Sequence, residues 1–513
     1  MSDNTRSVLR SAKHFFLGTL LSRFSGFFRD VAMAFCFGSA PEVASFMVAY
    51  RLANLCRKLF GESNAQAGFT PHFEKARGEG DKAAFFFYRD AAWSMGVLIL
   101  AVVLLIEVGL WFLRPHLPGE WQEVALLSMW MSPGLLFITL FGLHNALLQC
   151  QKKAFWPAAA PVAFNMAWIG AALLAANLPE AMRPLSLGIT LAYGLQWFLT
   201  AFQVWRELGS FVSLKEWFQP RLFSLEWRSM FRAMMLGILG VGAVQINSAL
   251  DALFSKIADP SGPAYLWYAI RLEQLPLALF GIALAGALLP PLARALRQES
   301  LDNYRTLLGD ALRHSLALII PCTFGLFALG ESGLNLLYGH GDFSPADVLA
   351  TKECLWGYAL GLIPAVVVLL VAQGFYARKN FAVPTIASLA SVAVNIALNS
   401  LLVFVFQWGA VSIALATSFS AWVNMAILLI FLRRSGAWSS SALPLSFLSR
   451  LTIACGLPAA LAWCISWGEP MPRDLFSQIV QFGTQGAVYL GSVLTLSKLL
   501  RIEELFEVMR RRA

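Results

Sequence analysis

The sequence is poor in charge. Asp, Glu, Lys and Arg make up only 13% of its 513 residues, whereas 58% are hydrophobic. Soluble domains carry about 25% charged residues, so this composition excludes an ordinary soluble protein. Apolar runs recur along the chain, for example residues 93–113, and a run of about 20 residues crosses the hydrocarbon core of a bilayer as a helix. Strand-like alternation is absent, which disfavours a transmembrane barrel.

Residue patterns that carry enzyme chemistry are also scarce. The seven cysteines show no C-x-x-C spacing and the six histidines form no ligand pair, so the sequence indicates neither a metal site nor a redox centre. No nucleotide-binding, kinase or G-x-S-x-G signature occurs. We therefore expect no cofactor, and the sequence assigns no coupling cation. Membrane topology and anionic lipid account for the net charge of +9, and no nucleic-acid partner is expected.

The apolar runs predict an all-α integral membrane protein with fourteen transmembrane helices. The predicted spans are centred near residues 27, 52, 100, 135, 167, 196, 244, 277, 324, 365, 396, 421, 457 and 488. Of the 39 Lys and Arg residues, 28 fall in the N-terminus, the even-numbered loops and the C-terminal tail, and five fall in the odd-numbered loops. The positive-inside rule then predicts that both termini are cytoplasmic.

An internal repeat relates the two halves of the chain. At an offset of 220, residues 49–79 align without a gap on residues 269–299, and twelve of the 31 positions are identical. Arg51 falls on Arg271, a match that chance similarity between apolar helices does not explain. Six spans separate the two copies, so both should have the same orientation, related by an axis along the membrane normal.

The repeat predicts two six-helix lobes and two additional helices. The predicted parts are an N-terminal lobe (1–208), an amphipathic linker at the cytoplasmic interface (209–228), a C-terminal lobe (229–434) and the last two helices with a basic tail (435–513). Two such lobes would enclose a central cleft, the usual substrate site in transporters of this construction.

Basic residues inside the predicted spans indicate the substrate. They are Arg23, Arg29, Arg51, Arg57, Lys58 and Arg271. A basic residue at the bilayer centre costs about 2.5 to 3.5 kcal/mol on translocon scales, so these side chains are expected to line water or to contact one another. Asp30 and Glu62 are the evident anions, with Glu273 as a candidate in the second lobe. The surplus of positive charge favours an anion, and guanidinium groups suit phosphate oxygens.

Helical periodicity groups these residues. Ser22 and Arg29 share one face of the first helix, and Arg23 and Asp30 nearly share another. In the second helix, one stripe is predicted to contain Arg51, Asn54, Leu55, Lys58 and Glu62. We expect Asp30 to orient and partly compensate the arginines, with Ser22, Asn54 and Glu62 in supporting or gating roles. In the alternative interpretation, Arg57, Lys58 and Glu62 lie near the cytoplasmic helix end and snorkel to the membrane surface.

Residues 336–347 resemble a site because His340, Asp342 and Asp347 lie close together in the sequence. We interpret them structurally instead. Gly339 and Gly341 are predicted to end one helix, and Ser344 with Asp347 is predicted to cap the next.

Four segments carry a family resemblance. "SRFSGFFRD" (22–30), "FMVAYRLANLCRKLFGE" (46–62), "WYAIRLEQLPLALFGIALAGALLPPLAR" (267–294) and "YGHGDFSPAD" (338–347) resemble, in order and spacing, the MurJ (MviN) family of bacterial lipid II flippases. The family belongs to the multidrug, oligosaccharidyl-lipid and polysaccharide exporter superfamily. The resemblance spans nearly the full chain and includes the fourteen-helix count.

The resemblance implies a function and a site. Family members move lipid II, the undecaprenyl-diphosphate-linked peptidoglycan precursor, from the cytoplasmic to the periplasmic leaflet of the inner membrane by alternating access. The family's site residues fall on Arg23, Arg29, Asp30, Arg51, Arg57, Lys58, Glu62 and Arg271. We expect Arg23, Arg29, Arg51 and Arg271 to bind the diphosphate, with Arg57 and Lys58 as further substrate-binding residues. The last two helices would form a groove for the lipid tail, and we expect a monomer surrounded by membrane lipids.

Two positions depart from the family pattern. Ala44 and Ile270 stand where many members have aspartate, so the cleft should be more positive here. Two alternatives to a lipid II flippase remain at this point. One is an exporter of another prenyl-diphosphate-linked glycan, and the other is a membrane-embedded enzyme acting on such a lipid.

Overall fold

The computed structural model describes residues 5–60, 62–153, 155–438, 443–465 and 470–510. Within these ranges, the description omits the side chains of residues 5–17, 19, 56–57, 59–60, 62–67, 236–241, 243–244 and 507–510. The described ranges are almost entirely helical and contain no strand. The predicted all-α class is confirmed.

The chain forms two compact units, Met1–Ala252 and Leu253–Ala513. Unit 1 contains α1 (Thr5–Phe37), α2 (Pro41–Phe60), α3 (Glu62–Gly78), α4 (Asp81–Leu113), α5 (Gly119–Met131), α6 (Gly134–Cys150), α7 (Phe155–Ala175), α8 (Met182–Leu208), α9 (Leu214–Trp217) and most of α10 (Leu225–Ala258). In this unit α7 packs between α1 and α8, α2 packs on α5, and α3 and α4 pack on α6. The predicted four-part division of the chain stays a prediction.

Unit 2 is built around a central helix. It contains α11 (Gly262–Pro276), α12 (Ala283–Arg297), α13 (Leu301–Tyr338), α14 (Pro345–Ala377), α15 (Ala382–Ser400), α16 (Val411–Arg434), α17 (Leu445–Cys464), α18 (Leu475–Leu499) and α19 (Glu503–Arg510). Helix α14 packs against α11, α12, α13 and α16, and the pair α17 and α18 packs against α13. A π-helical turn, Leu277–Ile282, joins α11 to α12, and a second one, Leu401–Phe406, follows α15.

Small residues let α14 and α16 approach closely. The hydroxyl of Ser418 on α16 donates to the backbone carbonyl of Gly357 on α14 at 2.6 Å. A Cβ atom on Gly361 would lie 2.6 Å from Ser418 Oγ and 2.9 Å from Ser418 Cα. The spacing of Gly357 and Gly361 is the G-x-x-x-G pattern that permits close helix contacts in membranes, so neither position leaves room for a larger side chain without movement of α16.

The helices are long and apolar enough for a multi-pass membrane protein. Among the described residues, nine helices meet the length and hydropathy expected of a membrane span, or ten if the bent pair α5 and α6 counts as one span. This pair bends by 44° at Ser132 and Pro133, because proline lacks the N–H that would continue the helix. The predicted spans near residues 27, 52, 244 and 488 fall in α1, α2, α10 and α18, which miss these limits. The count of fourteen therefore stays a prediction.

Local sequence signals placed some helix ends correctly. Ser344 caps α14 in a reciprocal capping box with Asp347, and Gly339 follows the last residue of α13. Both features were predicted from residues 336–347. They depend on neighbours in sequence, because capping satisfies backbone N–H and C=O groups of the same turn.

A polar contact, which we call the linker latch, fastens residues 213–223 to α4. The guanidinium of Arg89 donates to Asp90 Oδ1 at 2.8 and 2.6 Å and to the carbonyl of Glu216 at 2.8 Å. The same Asp90 oxygen accepts from the backbone N–H of Arg221 at 3.0 Å, and Ser94 Oγ accepts from the N–H of Phe223 at 2.9 Å. These bonds satisfy backbone groups of a segment that contains only one short helix.

Candidate functional site

Arg29 on α1 is held in a buried ion pair. The residue is only 7% exposed, and its Nε and Nη2 donate to Asp30 Oδ1 at 3.0 and 2.7 Å. Its Nη1 donates to Asn165 Oδ1 on α7 at 3.1 Å. A buried guanidinium is tolerated when it is paired and hydrogen-bonded, and this arrangement gives Arg29 both kinds of partner.

An aromatic cluster contacts the same guanidinium. Arg29 Cζ lies 4.5 Å from the ring centroid of Trp168 on α7, within cation–π range. Trp168 is fully buried, and Tyr50 and Phe46 of α2 contact its ring in edge-on geometry at centroid distances of 4.8 and 5.8 Å. Helices α1, α2 and α7 therefore meet around Arg29.

Ser22 and Arg23 lie on α1 one to two turns before Arg29. Ser22 is half-buried, and its carbonyl accepts from Asn165 Nδ2 at 3.2 Å and from Ser25 Oγ at 2.9 Å. Arg23 is exposed. Among the described residues, no carboxylate lies within ion-pair distance of Arg23.

The basic residues of α2 fall into two groups. Arg51 and Asn54 are half-buried, and the described part of the chain places no carboxylate at ion-pair distance from Arg51. Lys58 is exposed. The side chains of Arg57 and Glu62 lie outside the described residues.

The predicted stripe of the second helix extends beyond the described side chains. Helix α2 is described to Phe60 and α3 from Glu62. The stripe from Arg51 to Glu62 stays a prediction, because residue 61 and the side chain of Glu62 lie outside the described residues.

Arg271 belongs to unit 2, on α11. It is half-buried, and its Cζ lies 4.3 Å from the ring centroid of Trp267, one turn earlier on the same helix. Two residues beyond it, Glu273 is buried. Arg29 and Arg271 thus each have a tryptophan ring against one face of the guanidinium.

The two positions that depart from the family pattern differ in environment. Ala44 is fully buried on α2, whereas Ile270 on α11 is half-buried. Ala44 therefore contributes a buried methyl group to α2.

Helices α17 and α18 present a shallow, mostly apolar groove, with Leu457, Leu461, Thr495 and Leu496 among its lining residues.

For metals, the described part of the chain holds no group of three or more His, Cys, Asp or Glu side chains arranged to bind an ion.

The sequence did not indicate Asn165 or Trp168 as site residues, although both contact Arg29. The contact joins residues 136 positions apart, and no local pattern predicts which helices pack together. One signal was available, because an asparagine inside an apolar run such as "VAFNMAW" is a polar residue in a predicted span. Such residues are rare and usually face the interior of a helical bundle.

Solved structures identify the fold. The chain is similar to a lipid II flippase MurJ in an inward closed conformation, with a TM-score of 0.75 and 23% identity, covering 95% of this chain and 99% of that one. It is also similar to an inward-facing multidrug resistance transporter of the MATE family, with a TM-score of 0.59 and 13% identity over 85% of this chain and 96% of that one. The chain therefore has the all-helical fold of these two membrane proteins.

Sequence comparisons identify the family. The family model described as lipid II flippase MurJ matches residues 33–469. A probable lipid II flippase MurJ of Chlamydia trachomatis is 33% identical over 428 residues, which cover 83% of this chain and 78% of that protein. Another from Vibrio cholerae is 29% identical over 510 residues, covering 94% and 95%. The chain belongs to the MurJ lipid II flippase family, whose members are transporters and not enzymes, so the enzyme alternative is set aside.

Proposed function

We propose that this protein moves lipid II from the cytoplasmic to the periplasmic leaflet of the bacterial inner membrane. Family membership supports the substrate. The observation that carries the proposal is the pair Arg23 and Arg51, two arginines on helices of the bundle without a carboxylate partner among the described residues. Positive charge at such positions is costly, and a diphosphate that enters with the substrate would offset that cost.

The arginines divide into two roles in this proposal. Arg23, Arg51 and Arg271 bind the diphosphate oxygens, with Arg57 and Lys58 as further basic contributors. A guanidinium can donate two parallel hydrogen bonds to a phosphate group, which a point charge cannot. Arg29 already donates to Asp30 and Asn165, so it fixes α1 and adds little net charge to the substrate site.

Transport then follows by alternating access of the two repeated lobes, with fourteen spans and both termini in the cytoplasm. The prenyl tail stays in lipid, along the groove of α17 and α18, while the hydrated headgroup crosses. Membrane potential, an ion gradient or use of the product outside drives the step. For a net charge moved across the membrane, the potential supplies about 2.3 kcal/mol per elementary charge per 100 mV.

The test is complementation of a cell depleted of its own lipid II flippase. Wild-type protein should restore growth and accessibility of lipid II at the periplasmic face. Arg23→Ala, Arg51→Ala and Arg271→Ala should insert normally but leave lipid II in the inner leaflet. Arg434→Ala is the matched control, because Arg434 is exposed at the end of α16 and should support wild-type transport.

Failure of the wild-type protein to restore export would reject the substrate, and wild-type activity of the three variants would reject the arginine site. Proteoliposomes loaded with a different prenyl-diphosphate-linked glycan supply the second arm. Transport of that lipid and not of lipid II would favour the rival exporter.

A further inference from the structure

We propose that Asn165 is a positioning residue for substrate binding and acts through Arg29. The inference rests on the proposed function, because it assigns a role within the same diphosphate site. Asn165 lies on α7, which packs against α1, and is 5% exposed. Within the described part of the chain, its side-chain hydrogen bonds all go to α1. They reach Ser22, Ser25 and Arg29, which share one face of that helix at spacings of three and four residues.

Chemistry fixes the orientation of the Asn165 amide. Arginine has only donors, so the atom 3.1 Å from Arg29 Nη1 must be the amide oxygen. A backbone carbonyl only accepts, so the atom 3.2 Å from the carbonyl of Ser22 must be the amide nitrogen. The nitrogen also donates to Ser25 Oγ at 2.8 Å. One side chain on α7 therefore contacts both the Arg29 guanidinium and the turn of α1 that carries Arg23.

An amide suits this position better than a carboxylate. Arg29 and Asp30 together are electrically neutral, and Asn165 adds an acceptor without adding charge. A second carboxylate would make the group net negative and repel a diphosphate bound nearby. An apolar residue of the same size would leave Arg29 Nη1 without this acceptor and would release α1 from the hydrogen bonds to Ser22 and Ser25.

Three variants separate positioning from packing. Asn165→Leu keeps the volume and removes the hydrogen bonds, and Asn165→Asp keeps an acceptor but adds negative charge. Ser25→Ala is the matched control, because it removes one Asn165 bond and leaves the contact with Arg29. Binding of lipid II to purified protein and the Tm of the same preparation are measured for each.

Asn165→Leu is expected to weaken lipid II binding by about tenfold or more, the size of a lost hydrogen bond to a charged group. Asn165→Asp is expected to bind weakly despite a Tm close to wild type, and Ser25→Ala is expected to lose less binding than Asn165→Leu, because the bonds to Ser22 and Arg29 remain. In an Arg29→Met background, Asn165→Leu should produce a smaller additional loss of binding than in the wild type, because the contact with Arg29 is already gone.

The outcomes that overturn the inference are distinct from those that overturn the function. Three results would show that Asn165 only packs α7 on α1. Ser25→Ala and Asn165→Leu would lose equal lipid II binding, Asn165→Asp would bind as the wild type does, or the losses from Asn165→Leu and Arg29→Met would be fully additive. If Arg29→Met does not fold, lipid II binding by Asn165→Asp and by Ser25→Ala still distinguishes a positioning role of Asn165 from a packing role. Absence of lipid II binding by the wild-type protein would instead reject the proposed function.

Discussion

Neutralising Asp90 should destabilise unit 1 far more than removing a nearby surface charge. Asp90 and Arg89 form the ion pair of the linker latch, and their side chains are only 11% and 8% exposed. Removing one partner of a buried pair costs about 3 to 5 kcal/mol, because the other charge stays buried. Asparagine can still accept hydrogen bonds, so the expected loss for Asp90→Asn lies at the lower end, about 3 kcal/mol.

The chain offers a matched control on the same helix. Lys82 pairs with Glu216 at 3.1 Å, but its side chain is 60% exposed, and exposed pairs contribute less than about 1 kcal/mol. Lys82→Met should therefore change stability little. The double variant Arg89→Met with Asp90→Asn should lose less than the sum of the single variants, because no lone charge is left buried.

The assay is unfolding of the purified protein in one detergent, combined with amide hydrogen exchange of the linker. Asp90→Asn should lower the Tm and speed exchange at Arg221, whose N–H donates to Asp90. The N–H of Phe223 also serves as a local probe, because it donates to Ser94. Equal Tm values for Asp90→Asn and Lys82→Met, with unchanged exchange at Arg221, would refute the assigned role of the latch.

Two further predictions concern packing and pH. Gly361→Ala should destabilise the protein by about 1 to 3 kcal/mol, since the new Cβ meets Ser418. Gly286→Ala is the control, because the space around Gly286 is open, and it should stabilise α12 by about 0.5 to 1 kcal/mol. Equal Tm shifts in the two variants would contradict the close contact between Gly361 and Ser418. The pKa of Glu216 is lowered from 4.5 to about 2 by the backbone N–H and hydroxyl of Ser213 and by Lys82. Its stabilising effect is therefore complete above pH 4.5 and lost as the pH falls toward 2. The Tm difference between wild type and Glu216→Gln should narrow over that range, and a constant difference down to pH 2.5 would contradict it.

The sequence predicted the local features of this structure best. The Ser344 cap depends on residues three apart, and the Arg29–Asp30 pair joins neighbours in the chain. The all-helical class follows from apolar runs alone. Each of these rests on information contained within a few turns of helix.

Long-range features were the ones missed. The contact between Asn165 and Arg29 requires that α7 pack against α1, which composition does not determine. The roles proposed for Arg23, Arg51 and Arg271 depend on contacts with a bound diphosphate, which neither a local pattern nor helix packing determines.

The π-helical turn at Leu277–Ile282 has a geometric consequence for unit 2. Such a turn holds one residue more than the α-helical path requires, and each residue of an α-helix accounts for about 100° of rotation and 1.5 Å of rise. If the π-helical turn moved along the helix toward Arg271, each side chain that it passed would rotate by about 100° about the helix axis, and the helix would stay continuous. The side chains between Arg271 and α12 could therefore change direction without a break or hinge in the helix.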